Sequence, residues 1–167
     1  MLAESELKRL IEKGLVDESF DEKMQLQVNG LELTVRNVER FREAGKLGVK
    51  NTERVIPEGE TIEFDEDGWV HLDPGAYRIR FNEVVDIPLG IAALAKPRSS
   101  LLRCGVALHT AVWDAGYKGR GECLMCVYNP HGFSLQKDAR VIHLVFFRLE
   151  GDTGEGYKGV YLNENLK

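Results

Sequence analysis

The sequence predicts an all-β fold, a barrel or a sandwich, on three observations. Turn residues recur at short, even intervals from Pro57 onward: Gly59, Asp67-Gly68, Pro74-Gly75, Pro88 and Gly90. The runs between them are short and rich in Val, Ile, Phe, Tyr and Trp, residues that suit a pleated, half-buried surface. Helical periodicity is clear only at the N-terminus, where Leu7, Leu10 and Ile11 follow the i, i+3, i+4 pattern.

Length and composition set the limits. A chain of 167 residues fits one domain with a single core, taken here as 1–167. Apolar content of 43% and charged content of 29% are ordinary for a soluble globular protein. A formal net charge of −5 argues against a general nucleic-acid binder, yet leaves room for a polyphosphate ligand held by a few local arginines. No apolar run reaches the roughly 18–20 residues of a membrane span. The charged, amphipathic start MLAESELKRLIEKG has no secretory core, so a cytoplasmic protein with no membrane partner is expected. Three cysteines make a disulfide framework an unsuitable reading. Cys123 and Cys126 form C-x-x-C, but in a strand residues three apart face opposite ways, and no second Cys/His pair completes a metal site.

In chain order, a helix is predicted over Glu4–Lys13, within an N-terminal segment 1–14 closed by Gly14. From Met24 to Val35 the pattern alternates around Asn29-Gly30, a strong hairpin turn signal. Residues 36–53 read as a polar surface excursion containing one helix-compatible piece, Val38–Ala44. Strands follow at Val84–Ile87, Ile91–Ala95, Val106–Val112, Cys123–Tyr128 and Val141–Arg148. Several are apolar on both faces, a pattern that fits an oligomer interface. The Gly-rich tail 151–167 is expected to be mobile.

The chain is organised around Lys96–Glu122, KPRSSLLRCGVALHTAVWDAGYKGRGE. In its first part, Ser99 is a good N-cap for one helical turn and Gly105 suits the exit. That turn is either a capped connection between two strands or an anion cradle. Helix-start N–H groups, the Ser99 and Ser100 hydroxyls, and the planar forks of Arg98 and Arg103 all match phosphate oxygens. In its second part, Asp114 lies in the turn Val112–Gly119. It either satisfies turn amides or, at the end of an apolar strand, holds a water as a general base. Tyr117 offers a flat face to a sugar ring. His71, His109, His131 and His143 are scattered without ligand spacing.

With these residues in view, PRSSLLRCG followed by VWDAGYKGRGE resembles the second and third motifs of the trimeric dUTPase and dCTP deaminase superfamily. MLAESELKRLIEKG is similar to the N-terminal helix of its deaminase-like branch, and QVNGLELTV to its first motif. LDPGAYRIRFNEVVDIPLG is similar to its central strands, Arg140–Val145 to its fourth motif, and GYKGVY to a Tyr-Gly-x-Tyr near the end of archaeal members. The resemblance implies a distorted jelly-roll-like β barrel with a short N-terminal helix, assembled as a homotrimer with sites between subunits. It further implies that Arg98, Ser99, Ser100 and Arg103 hold a triphosphate and that Asp114 activates the attacking water. Tyr117 would pack under the deoxyribose and disfavour a ribose, with His109, Thr110, Ala111 and Trp113 around the sugar and base. Tyr157, Lys158 and Tyr161 are the expected tail contacts. Magnesium would bridge the phosphates through their own oxygens, with no direct protein ligand.

The expected reaction is hydrolysis of dUTP to dUMP and pyrophosphate. Deaminases of this superfamily carry a catalytic glutamate ten residues beyond the aspartate, where this chain has Leu124. Glu122 lies on the same strand face about 7 Å away. Deamination of dCTP through Glu122, alone or coupled to hydrolysis, is the first alternative. A non-catalytic trimeric nucleotide-binding module is the second. The chain departs from the family pattern at Thr34, where the first motif usually has Asp (Glu32 lies two residues earlier), at His143, where Gln is usual, and in its reduced tail.

Overall fold

The computed structural model describes residues 1–166. Helix α1 (Glu4–Ile11) is followed by β1 (Val16–Asp17), the single turn α2 (Glu22–Gln25), β2 (Leu26–Gln27) and the long β3 (Gly30–Phe41). After a surface excursion come β4 (Gly59–Ile62), β5 (Trp69–Leu72), β6 (Gly75–Phe81), β7 (Val84–Asp86) and β8 (Ile91–Pro97). The short α3 (Ser99–Arg103) leads into β9 (Val106–His109), β10 (Lys118–Gly119), β11 (Glu122–Val127), β12 (Phe133–Gln136) and β13 (Arg140–Arg148). The main sheet runs β8-β13-β3-β6-β11-β9, with β2 and β4 also pairing to β3. Two smaller sheets, β1-β7-β10 and β12-β5, complete the strand pairing. The expected mainly β, distorted barrel with a short N-terminal helix is the fold observed. Among the described residues no helix is long and apolar enough to cross a membrane.

The core follows from alternation. Leu31, Leu33 and Val35 on β3, Ile79 and Phe81 on β6, Met125 on β11, and Ile142, Leu144 and Phe146 on β13 are all buried. These side chains point to one side of their strands and fill the barrel. Helix α1 lays Leu7 against this core and ends as Gly14 N–H reaches Ile11 and Leu15 N–H reaches Leu10. Strand β11 buries Cys123, Met125 and Val127 and turns Cys126 to its other face, so the C-x-x-C cysteines point apart, as the strand reading requires.

The structure corrects the sequence reading at several points. The piece Val38–Ala44 is not helical: Val38–Phe41 continues β3, with Val38 paired to Ile79 on one side and Ile62 on the other. A bulge at Arg36 shifts the register between Val35 and Asn37, which interrupts the alternation and disguises the strand. The first hairpin turns at Val28-Asn29, because Gln27 already pairs with Gly30. Gly30 is needed for space, since a Cβ there would come within 2.3 Å of His143 Nε2. Strand β9 stops at His109, short of the expected Val112. Ser99 is the first helical residue of α3, and the N-cap is Arg98, whose side chain makes no capping bond.

One buried polar knot braces the barrel. Glu83 has no exposure and accepts hydrogen bonds from Gln25 Nε2 (2.6 Å), Thr34 Oγ1 (2.6 Å) and Thr34 N–H (3.0 Å). Burial pushes its carboxyl above the ordinary 4.5, and the hydrogen bonds from Thr34 and Gln25 oppose that rise. The folded state therefore holds this proton more tightly than the unfolded chain. Stability contributed below pH 4.5 is lost as pH climbs through the raised folded value. Thermal melts from pH 4.5 to 8 are expected to show that decline in wild type and a flatter profile in Glu83→Gln, whatever its absolute Tm. A change of about 1 kcal/mol moves Tm by roughly 2–4 °C at this chain length. Parallel profiles for the two proteins would rule the assignment out.

Candidate active site

The acid sits at the seam of the barrel. The two ends of the main sheet, β8 and the segment after β9, meet at Trp113, which exchanges two backbone hydrogen bonds with Ala93 (2.9 and 3.0 Å). The next residue is Asp114, exposed beside buried Trp113, Ala115 and Tyr117. Its backbone carbonyl closes the turn by accepting from Tyr117 N–H at 3.1 Å. Its carboxylate accepts no hydrogen bond among the described residues, so it is not spent on turn amides. Asp114 lines a depression with Ala111, Val112, Trp113, Tyr117, Gly121, Glu122, Tyr157, Tyr161 and Glu164.

The C-terminal segment folds back onto this depression in cis. Tyr157 N–H donates to Ala115 O (2.7 Å), Asn163 N–H to Lys118 O (2.7 Å) and Arg120 N–H to Glu164 O (3.0 Å). Tyr157 meets Tyr117 edge to face, with centroids 5.8 Å apart and planes at 67°. The Tyr117 hydroxyl donates to Glu164 Oε1 at 2.8 Å. Burial, with the Glu164 carboxylate beside it, holds this phenol well above its usual range. Burial likewise raises Glu164, with the Glu122 charge adding to it, while Tyr117 and Arg80 pull the other way. Of the expected tail contacts, Tyr157 and Tyr161 line the depression, whereas Lys158 pairs with Glu155.

A second depression adjoins the first and shares Ala111, Glu122, Tyr161 and Glu164 with it, adding His109, Arg78 and Leu124. His109 is exposed at the end of β9, opposite Leu124. Thr110 follows His109 in the chain and lines neither depression. The floor between them is a charge ladder that the sequence reading missed. Arg80 donates to Glu122 Oε1 from Nε (3.0 Å) and Nη2 (2.7 Å), Arg78 Nε lies 3.6 Å from Glu122 Oε2, and Arg78 Nε donates to Glu39 at 2.8 Å. Asn165 Nδ2 adds a further bond to Glu122 Oε1 at 3.2 Å. The signal was the alternation of Arg78 and Arg80 with buried Tyr77, Ile79 and Phe81 on β6.

The arginine and serine cluster lies elsewhere on the chain. Arg98 follows the last residue of β8, five residues past Ala93, so it is about 16 Å along the strand from the seam that carries Asp114. Asp114 and the Arg98 group are therefore not brought together within one chain. Arg98 Nε donates to Glu32 Oε1 (2.8 Å), and Glu32 also pairs with Arg140 (3.0 Å). His143 Nδ1 stands 3.9 Å from the same carboxylate. Two guanidinium groups around one buried carboxylate leave this corner net positive. Arg98 and Ser100 line its depression with Arg140 and Gln136, while Ser99 and Arg103 stand exposed on α3. Thr34, on the same strand as Glu32, is buried and tied to Glu83.

The chain belongs to the dCTP deaminase-like family, whose model matches residues 1–149. More narrowly, it is similar to archaeal proteins over nearly its whole length. It is 49% identical over 167 residues (99% of this chain and 98% of the relative) to a Methanosarcina mazei protein named "Probable deoxyuridine 5'-triphosphate nucleotidohydrolase". A Methanocaldococcus jannaschii protein named "Deoxyuridine 5'-triphosphate nucleotidohydrolase" is 36% identical over 141 residues, 84% of this chain and 88% of that protein. The fold is shared with the 2'-deoxycytidine 5'-triphosphate deaminase of Agrobacterium tumefaciens at a TM-score of 0.67 and 16% identity. That match covers 87% of this chain and 47% of the larger protein, so the chain spans about half its length.

Proposed function

We propose that the protein hydrolyses dUTP to dUMP and pyrophosphate, at sites shared between copies of the chain. The observation that carries this reading is the unengaged carboxylate of Asp114, held at the mouth of a depression walled by Trp113 and Tyr117. An exposed carboxylate whose lone pairs are free can accept the proton of a water that attacks the α-phosphorus. Archaeal relatives with dUTP-hydrolase names, one matching 99% of the chain and another 84%, support the choice of substrate. The part of Tyr117 that lines the depression lies under the deoxyribose, while His109, Ala111 and Trp113 border the space for sugar and base.

Arg98, Ser99, Ser100 and Arg103 then hold the phosphates. Because they lie at the far end of β8 from Asp114, they serve the acid of a neighbouring chain, which supports a homotrimeric assembly built on this barrel. Glu32 pre-orients the Arg98 fork, so less side-chain freedom is lost when a phosphate arrives. Thr34 donates to Glu83, and the two Glu32 oxygens face guanidinium groups, Oε1 accepting from Arg98 and Oε2 lying 3.0 Å from Arg140 Nη1 without a hydrogen bond, which disfavours a metal cation beside them. This donor set fits magnesium carried by the triphosphate itself, which keeps most of its waters. Bound there, magnesium would take up charge developing on the leaving pyrophosphate. The exposed position of Asp114 lets it hold a water at that edge.

Deamination is disfavoured by the same geometry. The position that would carry the deaminase glutamate is Leu124, and Glu122 is occupied by Arg80, Arg78 and Asn165. Separate assays of pyrophosphate and ammonia with dUTP and dCTP, with and without magnesium, test the reading. Pyrophosphate from dUTP, magnesium-dependent and without ammonia from dCTP, is the expected result. Ammonia release abolished by Glu122→Gln would overturn it, and so would tight dUTP binding with no product.

A further inference from the structure

Tyr117 is almost wholly enclosed, yet the hydrogen bond from its hydroxyl goes to one group, Glu164 Oε1 at 2.8 Å. That carboxylate does not come from the barrel. It is carried on the returning C-terminal segment and set in place by backbone pairing. Asn163 N–H donates to Lys118 O, Arg120 N–H to Glu164 O, and Glu164 forms a parallel bridge with Gly119. The next residue locks the pairing: Asn165 Nδ2 donates to Arg120 O at 3.0 Å, and Arg120 Nε to Asn165 O at 3.1 Å. Glu164 is thus delivered by a short strand-like contact, and its orientation is fixed before any ligand arrives.

Tyr157 packs against the same tyrosine edge to face, at 5.8 Å between centroids. A ring packed against a second ring and held at its hydroxyl by a carboxylate is restricted in its tilt. Gly119 shows how tight the contact is. A Cβ there would come within 2.8 Å of Tyr117 Oη and 3.1 Å of Glu164 Cγ. Tyr117 and Glu164 both line the depression that holds Asp114.

We propose that Glu164 is a positioning residue: by accepting the Tyr117 hydroxyl it fixes the plane of that ring, and so sets the preference for a 2′-deoxyribonucleotide over a ribonucleotide. The inference rests on the reading of Tyr117 as the surface under the sugar. A ring locked in place leaves no space for a 2′-hydroxyl, whereas a ring that can swing aside yields it. The residue acts through Tyr117 and need not touch the nucleotide.

The test compares kcat/KM for dUTP and UTP in wild type, Glu164→Ala, Glu164→Gln and Gly119→Ala. The dUTP/UTP ratio is expected to fall about 10-fold in Glu164→Ala, within the range a pocket can command against an added hydroxyl. The loss should come mainly from a lower KM for UTP. Glu164→Gln retains an acceptor oxygen and should keep the ratio near wild type. Gly119→Ala inserts a methyl group between the partners without altering either, and should lower the ratio as Glu164→Ala does. A purely structural role would lower both activities together and leave the ratio unchanged, which would overturn the proposal. If Glu164→Ala does not fold, Gly119→Ala and the rescue by Glu164→Gln decide the matter. A wild-type protein that hydrolyses neither nucleotide would instead sink the proposed function itself, so the two failures are distinguishable.

Discussion

Asp114→Asn is expected to bind dUTP as the native protein does and to hydrolyse it about 10²–10⁴-fold more slowly, the usual contribution of a positioned general base. The substitution is nearly isosteric and lies at an exposed position where the carboxylate makes no hydrogen bond within the described residues. Folding stability should therefore change little, within roughly 0.5 kcal/mol for a surface site of this kind. The amide cannot take the water's proton, so the loss should fall on kcat and leave KM nearly untouched. Single-turnover rates together with equilibrium nucleotide binding check both halves. Turnover within a few-fold of wild type would remove Asp114 from the chemistry.

The second large effect concerns the separation of the acid from the cationic corner. Arg98→Ala alone should cost about 10²-fold or more, since it removes a preorganised donor to phosphate. It also takes from Glu32 its closest cation, so a fall in Tm is expected alongside the kinetic loss. Two inactive proteins, Asp114→Asn and Arg98→Ala, should then complement each other. If each site draws its acid from one chain and its arginines from the next, random mixed trimers contain both intact halves in about a quarter of sites. Co-refolding equal amounts should restore about that fraction of wild-type activity. No recovery above the separate variants, with mixed assemblies confirmed by mass, would show that one chain's Asp114 and another's Arg98 do not share a site.

The architecture was readable because turn chemistry is local. Asp67-Gly68 and Pro74-Gly75 end one strand and begin the next whatever surrounds them, and the strand between falls into place. Asp114 and the arginine and serine cluster stand out as candidates for a similar reason: their residue types carry a chemistry that short spacing exposes. Long-range packing was not legible. Gly30, where the first hairpin closes, lies under His143, more than a hundred residues away in sequence. The continuation of β3 past Arg36 depends on partners in β4 and β6. Thr34, a departure when read against the family motif, is in the fold one of the donors to buried Glu83. Glu164 gave no signal at all, because its meaning comes from Tyr117, 47 positions earlier.

The closure of the barrel bears on how this site moves. Strands β13 and β8 are laced together over seven paired residues, whereas the two ends of the sheet meet at the Trp113–Ala93 bridge, flanked by Gly116 N–H to Ile87 O and Ile87 N–H to Tyr117 O. Parting that bridge would uncover Trp113 and Ala93, both buried, yet would break fewer backbone hydrogen bonds than parting a central pair. The low-energy excursions of a structure concentrate where hydrogen bonds are fewest. Asp114 is carried beside that sparsely bonded seam, so the loop that bears it is expected to open before the central strands part.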